Sequence, residues 1–195
     1  MLTETILCLM TMAKMKSMTK IIFFDTDCIS SFLWTKTEHL LIHCFGDDMI
    51  IPTQVYSEIS RVPHLRKQID DLVNDGYMTV EAIQAGSEEN KVYAALTDHT
   101  KVNKLPLIGR GEAAAIVLSK KYKGVLASNN LRDVKYYVDL YNLNHVTTAD
   151  IIHKVVKDGL LTIFQADEIW IQMINKRRKL PFDTYRLFLD SLLAK

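Results

Sequence analysis

The chain has 195 residues, 48% of them hydrophobic and 24% charged, the balance of a globular protein with enough length for one sizeable core and an appendage. Its formal net charge of +1 excludes a global basic field, so a nucleic-acid contact has to come from a local patch. No apolar run is long enough to span a membrane, and Cys8, Cys28 and Cys44 lack metal-type spacing, which points to reduced thiols and a cytoplasmic location.

Residues 1–17 read as a leader outside the fold. Their apolar core, Ile6–Met10, follows Glu4 and precedes Lys14 and Lys16, the reverse of a secretory signal, and Met18 is an alternative start. Ile21–Phe24 is an unbroken apolar run rich in β-branched and aromatic residues, as in a buried parallel strand. Cys28, Ile29, Phe32 and Leu33 then recur at helical spacing, with Thr26 or Asp27 near the N-cap. Asp25 therefore falls at the carboxyl end of a strand, where open α/β sheets place their ligands. Helix is expected over 37–45, strand over 49–51, and helix again from Pro52, carrying Glu58. A helix over 65–73, a strand over 77–80 and a helix over 88–98 follow.

Pro106, Gly109 and Gly111 then form a tight approach to a buried helix opened by Glu112 and ended by Gly124. Residues 125–127 make a fourth strand with Ser128, Asn129 and Asn130 at its carboxyl end. Helix over 131–141, a fifth strand at 145–146 and a helix from Thr148 complete a repeated βα order, the signature of a parallel sheet with helices on both faces. After Gly159 the pattern is purely helical. Ile163, Ala166, Ile169, Trp170, Met173 and Ile174 form a stripe, followed by the basic run 176–179 and a last helix. The organisation expected is a leader (1–17), an α/β domain (18–157) and a helical C-terminal extension (158–195).

Asp25, Asp27, Glu58 and Glu112 all fall at one edge of such a sheet. Clustered carboxylates repel unless a cation neutralises them. Oxygen donors without nearby His or Cys suit Mg²⁺ or Mn²⁺, which activate water for attack on a phosphodiester. Taken singly, each acid has a plainer reading as a helix cap or a solvated helix start. The plainer reading of the basic run is a solvated helix end.

The segments FFDTDCISSFL, VYSEI, IGRGEAAAIVLSKK and GVLASNN, in this order, resemble the PIN domain family over about Met18 to Lys157. The resemblance implies a three-layer α/β/α sandwich with a central parallel sheet. It also implies a ribonuclease holding Mg²⁺ or Mn²⁺ on Asp25, Glu58 and Glu112, with Asp27 where the family often has a small polar residue. The family's fourth acid is matched by Asn129 or Asn130, an uncharged amide, for which Asp27 or Asp133 would compensate. The expected partners are single-stranded RNA, contacted by Arg110, Lys176, Arg177 and Arg178, and an antitoxin or a second copy of the chain. The extension makes the chain longer than compact PIN toxins. Two alternatives remain open: a PIN-like RNA- or protein-binding module without nuclease activity, and a haloacid-dehalogenase-type phosphatase using Asp25 and Asp27.

Overall fold

A computed structural model describes residues 21–98 and 106–194; the expected leader lies outside the described residues. Five strands form one parallel sheet: β1 (Ile22–Phe24), β2 (Met49–Pro52), β3 (Met78–Glu81), β4 (Val125–Ala127) and β5 (Asn144–Val146). Their order is β3-β2-β1-β4-β5. The most apolar run lies in the middle because it is buried on both faces. Ile22 pairs with Met49 on one side and with Val125 on the other, and Phe24 pairs with Ala127. The chain runs outward from β1 to β3, then returns to begin β4 on the other side of β1. That reversal opens a crevice beyond the carboxyl ends of β1 and β4.

Among the described residues the helices are α1 (Thr26–Thr35), α2 (His39–Phe45), α3 (Thr53–Ile59), α4 (Pro63–Asn74), α5 (Glu88–Thr97), α6 (Arg110–Tyr122), α7 (Leu131–Tyr141), α8 (Thr148–Lys157), α9 (Ile163–Asn175) and α10 (Tyr185–Leu193). None is long and apolar enough to cross a membrane. Successive strand residues point to opposite faces. Ile22, Phe24, Val125 and Ala127 enter one apolar layer with α1, α3, α4 and α8, while Leu126 enters a second with α5, α6 and α7. The result is a three-layer α/β/α architecture.

The helices after Lys157 belong to the first layer. Ala166, Trp170 and Met173 of α9, with Tyr185 and Phe188 of α10, join the same core as β1 and α1. The indole nitrogen of Trp170 donates to the Phe182 carbonyl at 2.7 Å, closing the turn between the two helices. The buried stripe is narrower than expected, for Ile163 is 41% exposed.

Of the cap candidates, Asp25 is the N-cap of α1, its side chain accepting from Cys28 N. One local expectation needs correction. The α6 helix is closed by Lys123, which takes the left-handed conformation at φ 53°, and not by Gly124. Gly124 is required for a close approach instead. A Cβ there would lie 2.5 Å from the Ile21 carbonyl oxygen, which accepts from Val125 N where β4 meets β1.

Candidate active site

Asp25 is placed by β1 and fixed by α1. Its backbone N–H donates to Ala127 O of β4 at 2.9 Å, and its Oδ1 accepts from Cys28 N at 2.7 Å. The residue is fully buried, and among the described residues Oδ2 makes no hydrogen bond. Burial raises the carboxyl pKa to about 7. The Ser128 side chain and the Cys28 amide offset part of that rise, while the charges of Asp27 and Glu112 add to it.

Glu58 reaches the same edge from α3. Its Oε2 accepts from Thr26 Oγ1 at 2.5 Å, one residue beyond Asp25. Gly111 closes the gap on the other side: a Cβ there would stand 2.7 Å from Thr26 Oγ1 and 3.1 Å from Glu58 Oε2. The absent side chain lets the first turn of α6 press against both. Glu112, the next residue, sits in that turn. Its Oε2 accepts from Gly109 N at 3.1 Å, the capping role of a helix-start glutamate. Its Oε1 accepts from Asn130 Nδ2 at 2.6 Å.

The two asparagines after β4 have different duties. Asn129 turns to α8, accepting from Thr148 N at 2.8 Å and donating to Thr148 Oγ1 at 2.9 Å. Asn130 stands at the acids, and its amide nitrogen also donates to Asp133 Oδ2 at 2.8 Å. That bond, with a second from Arg132, holds the Asp133 carboxyl below the usual range. Asp133 thus joins the edge through Asn130 and Glu112.

Asp27 is engaged elsewhere. Its Oδ1 lies 3.2 Å from Arg178 Nη1, which also donates to Ser30 Oγ at 3.0 Å. Around Arg178, Lys176 stands over the Trp34 ring, 5.6 Å from its centroid, and Lys179 lies within electrostatic reach of Asp133. Arg177 is exposed and left-handed at φ 61°. Arg110 is exposed at the start of α6, beside Glu112.

Among the described residues no three His, Cys, Asp or Glu side chains stand close enough to hold one ion as they are. Each acid is instead matched to a donor of the chain: Glu58 to Thr26, Glu112 and Asp133 to Asn130, and Asp27 to Arg178. The exception is Oδ2 of Asp25, a hard oxygen that makes no hydrogen bond among the described residues. Buried carboxylate oxygen without a partner, edged by further carboxylates, fits a divalent cation.

A family model described as a PIN domain matches residues 21–193, and the chain belongs to the PIN domain family. PIN domains are generally nucleases and generally use divalent metal ions. The match runs through the whole of α9 and α10. No curated protein and no solved structure matches the chain significantly.

Two features of the edge had little sequence signal. Thr26, inside the DTD stretch, was legible only as a cap. The union of Asp27 with Arg178 joins residues 151 positions apart, which no local pattern announces.

Proposed function

We propose that this protein is a metal-dependent ribonuclease that hydrolyses phosphodiester bonds of single-stranded RNA, with Asp25, Glu58, Glu112 and Asp133 as the acids that would hold Mg²⁺ or Mn²⁺. The observation that carries this reading is Oδ2 of Asp25, buried at the carboxyl end of the central strand and without a hydrogen bond among the described residues. An unmatched buried carboxylate costs free energy, which a hard cation would offset. When bound, such an ion supplies Lewis acidity and an activated water for in-line attack on phosphorus.

The chain's own residues set the frame for that chemistry. The Cys28 amide fixes the Asp25 carboxyl through its other oxygen. Thr26 orients Glu58, and one amide group of Asn130 orients Glu112 and Asp133 together. Arg110 and the 176–179 turn supply cations against the RNA backbone. The free thiols of Cys28 and Cys44 suit a cytoplasmic protein.

The test is cleavage of single-stranded RNA in Mn²⁺, with EDTA and Asp25→Asn as controls. The nuclease reading expects cleavage that both controls abolish and no hydrolysis of small phosphomonoesters. Phosphate release from a monoester, lost in Asp25→Asn, would sink it in favour of the phosphatase. RNA binding without cleavage at saturating Mn²⁺ would favour the binding module.

A further inference from the structure

The basic turn between α9 and α10 is latched to the acidic edge by Arg178. Arg178 Nε donates to the Lys176 carbonyl at 3.1 Å, which ties the guanidinium to its own turn. Nη1 bridges Asp27 Oδ1 and Ser30 Oγ, both on α1. Nη2 makes no hydrogen bond among the described residues, and the side chain remains 23% exposed. Two of the three guanidinium nitrogens are therefore fixed, and the third is left without a hydrogen bond on a partly exposed side chain.

A guanidinium held this way loses little freedom when it takes up a further oxyanion, and its planar fork matches phosphate. The surrounding charges point the same way. Lys176 and Lys179 flank it in sequence, and Lys179 already acts on Asp133 at the acidic edge. A polyanion approaching a group of carboxylates needs such a cationic border. Oδ1 of Asp27 is taken up by Arg178.

We propose that Asp27 is a positioning residue that anchors Arg178, and that the open side of the Arg178 guanidinium binds a backbone phosphate of single-stranded RNA beside the acidic edge. The proposal rests on the nuclease reading above and replaces the sequence-based role of Asp27 as a metal ligand. It gives α9 and α10 a part in substrate binding as well as in the core.

The test measures binding and metal response separately. A short fluorescein-labelled single-stranded RNA of mixed sequence is titrated with the full chain in Ca²⁺ across a salt series, with RNA integrity checked on a gel. Arg178→Gln is expected to weaken binding about tenfold, the scale of losing a hydrogen bond to a charged group. The slope of log affinity against log salt should fall by about 0.7, one phosphate contact on a single strand. Arg178→Lys should keep the slope and lose part of the affinity, because it keeps the charge without the fork. The Arg178→Gln loss should shrink in an Asp27→Asn background. Melting scans should show Asp27→Asn retaining the Mn²⁺-induced rise, which a ligand would not.

Wild-type affinity and slope in Arg178→Gln would overturn the proposal. So would equal affinity losses in Arg178→Gln and Arg178→Lys with neither slope changed, the mark of a structural brace. Loss of the Mn²⁺ response in Asp27→Asn would return Asp27 to the ligand set. A wild-type chain that does not bind the RNA overturns this proposal and the nuclease reading together, whereas binding unaffected by Arg178→Gln overturns this one alone.

Discussion

Thr26 Oγ1 donates to Glu58 Oε2 at 2.5 Å, so the residue following Asp25 holds the acid delivered by α3. Gly111 makes this contact tight. A Cβ at Gly111 would meet Thr26 Oγ1 at 2.7 Å and both Glu58 Oε2 and Val55 Cγ2 at 3.1 Å. In an open helix Gly→Ala stabilises by about 1 kcal/mol. Here overpacking outweighs that gain, because Thr26 is short, branched and hydrogen-bonded. Gly111→Ala is expected to destabilise by about 1–3 kcal/mol in urea unfolding. A rise in stability would show that the Thr26–Glu58 contact yields without cost.

Asp25→Asn should act on stability in a pH-dependent way. The folded carboxyl titrates at about 7, above its ordinary 3.8, chiefly through burial. Below the ordinary value both folded and unfolded chains are protonated, and the group contributes nothing. As pH rises from about 4 to 7 the unfolded chain ionises first, so the folded state is progressively disfavoured, and above 7 the penalty is constant. Its ceiling is about 4 kcal/mol before local relaxation. Asparagine retains the cap to Cys28 and removes the penalty. Without metal, Asp25→Asn should therefore raise the melting temperature at pH 8 and leave it nearly unchanged at pH 4. Equal shifts at both pH values would mean that the Asp25 carboxyl is not held near 7.

Mn²⁺ should raise the melting temperature of the wild-type chain, since an ion that binds only the folded state stabilises it by mass action, about 2.7 kcal/mol at a hundredfold excess over Kd. Asp25→Asn should remove most of that shift. A scan with no difference between millimolar Mn²⁺ and EDTA would count against the acids as a metal site.

Asn130→Asp separates the two duties of the amide. Its nitrogen donates to both Glu112 and Asp133, and an aspartate would place a third carboxylate among them. The metal-free protein should lose about 1–3 kcal/mol. The Mn²⁺-induced shift should grow, because a charged oxygen replaces a donor at the edge. An unchanged metal response with reduced stability would make Asn130 purely a spacer between the acids.

Trp170 tests whether the C-terminal helices are integral to the body. It is fully buried against Tyr185 and Phe188 and bonded to Phe182 O. Trp170→Ala should cost about 3–5 kcal/mol in a single cooperative transition. A second, separate transition in calorimetry would mark α9 and α10 as an independent unit.

Much of the sheet was legible because its strands are short, apolar and followed by acids or turn residues. Ile22–Phe24 and Val125–Ala127 needed only that pattern, and GRGE marked the start of α6. The cap of α1 stayed open in the sequence because Asp25, Thr26 and Asp27 all have capping chemistry, and only backbone geometry chooses Asp25. Gly124 looked like a helix terminator because a close backbone approach leaves the same residue in the sequence as a left-handed cap. Sequence order brought Asp25, Glu58 and Glu112 to one edge, but the donors that space them are tertiary. Asn130 meets Glu112 across 18 positions, and Arg178 meets Asp27 across 151. Neither distance carries a periodicity that composition or spacing reveals.

The union of Asp27 with Arg178 also bears on the order in which the protein is assembled. β1 lies between β2, which follows it closely, and β4, about a hundred residues downstream. Its edge acquires Arg178 only after nearly the whole described chain has been made. Closing loops of that length precedes the contacts that reward it, which slows folding. During synthesis, a chain still growing through α6 already carries Asp25, Glu58 and Glu112 but lacks both β4 and the cationic turn. The 176–179 turn arrives last, so a partly made chain has these acids and Arg110 but not yet the guanidinium of Arg178.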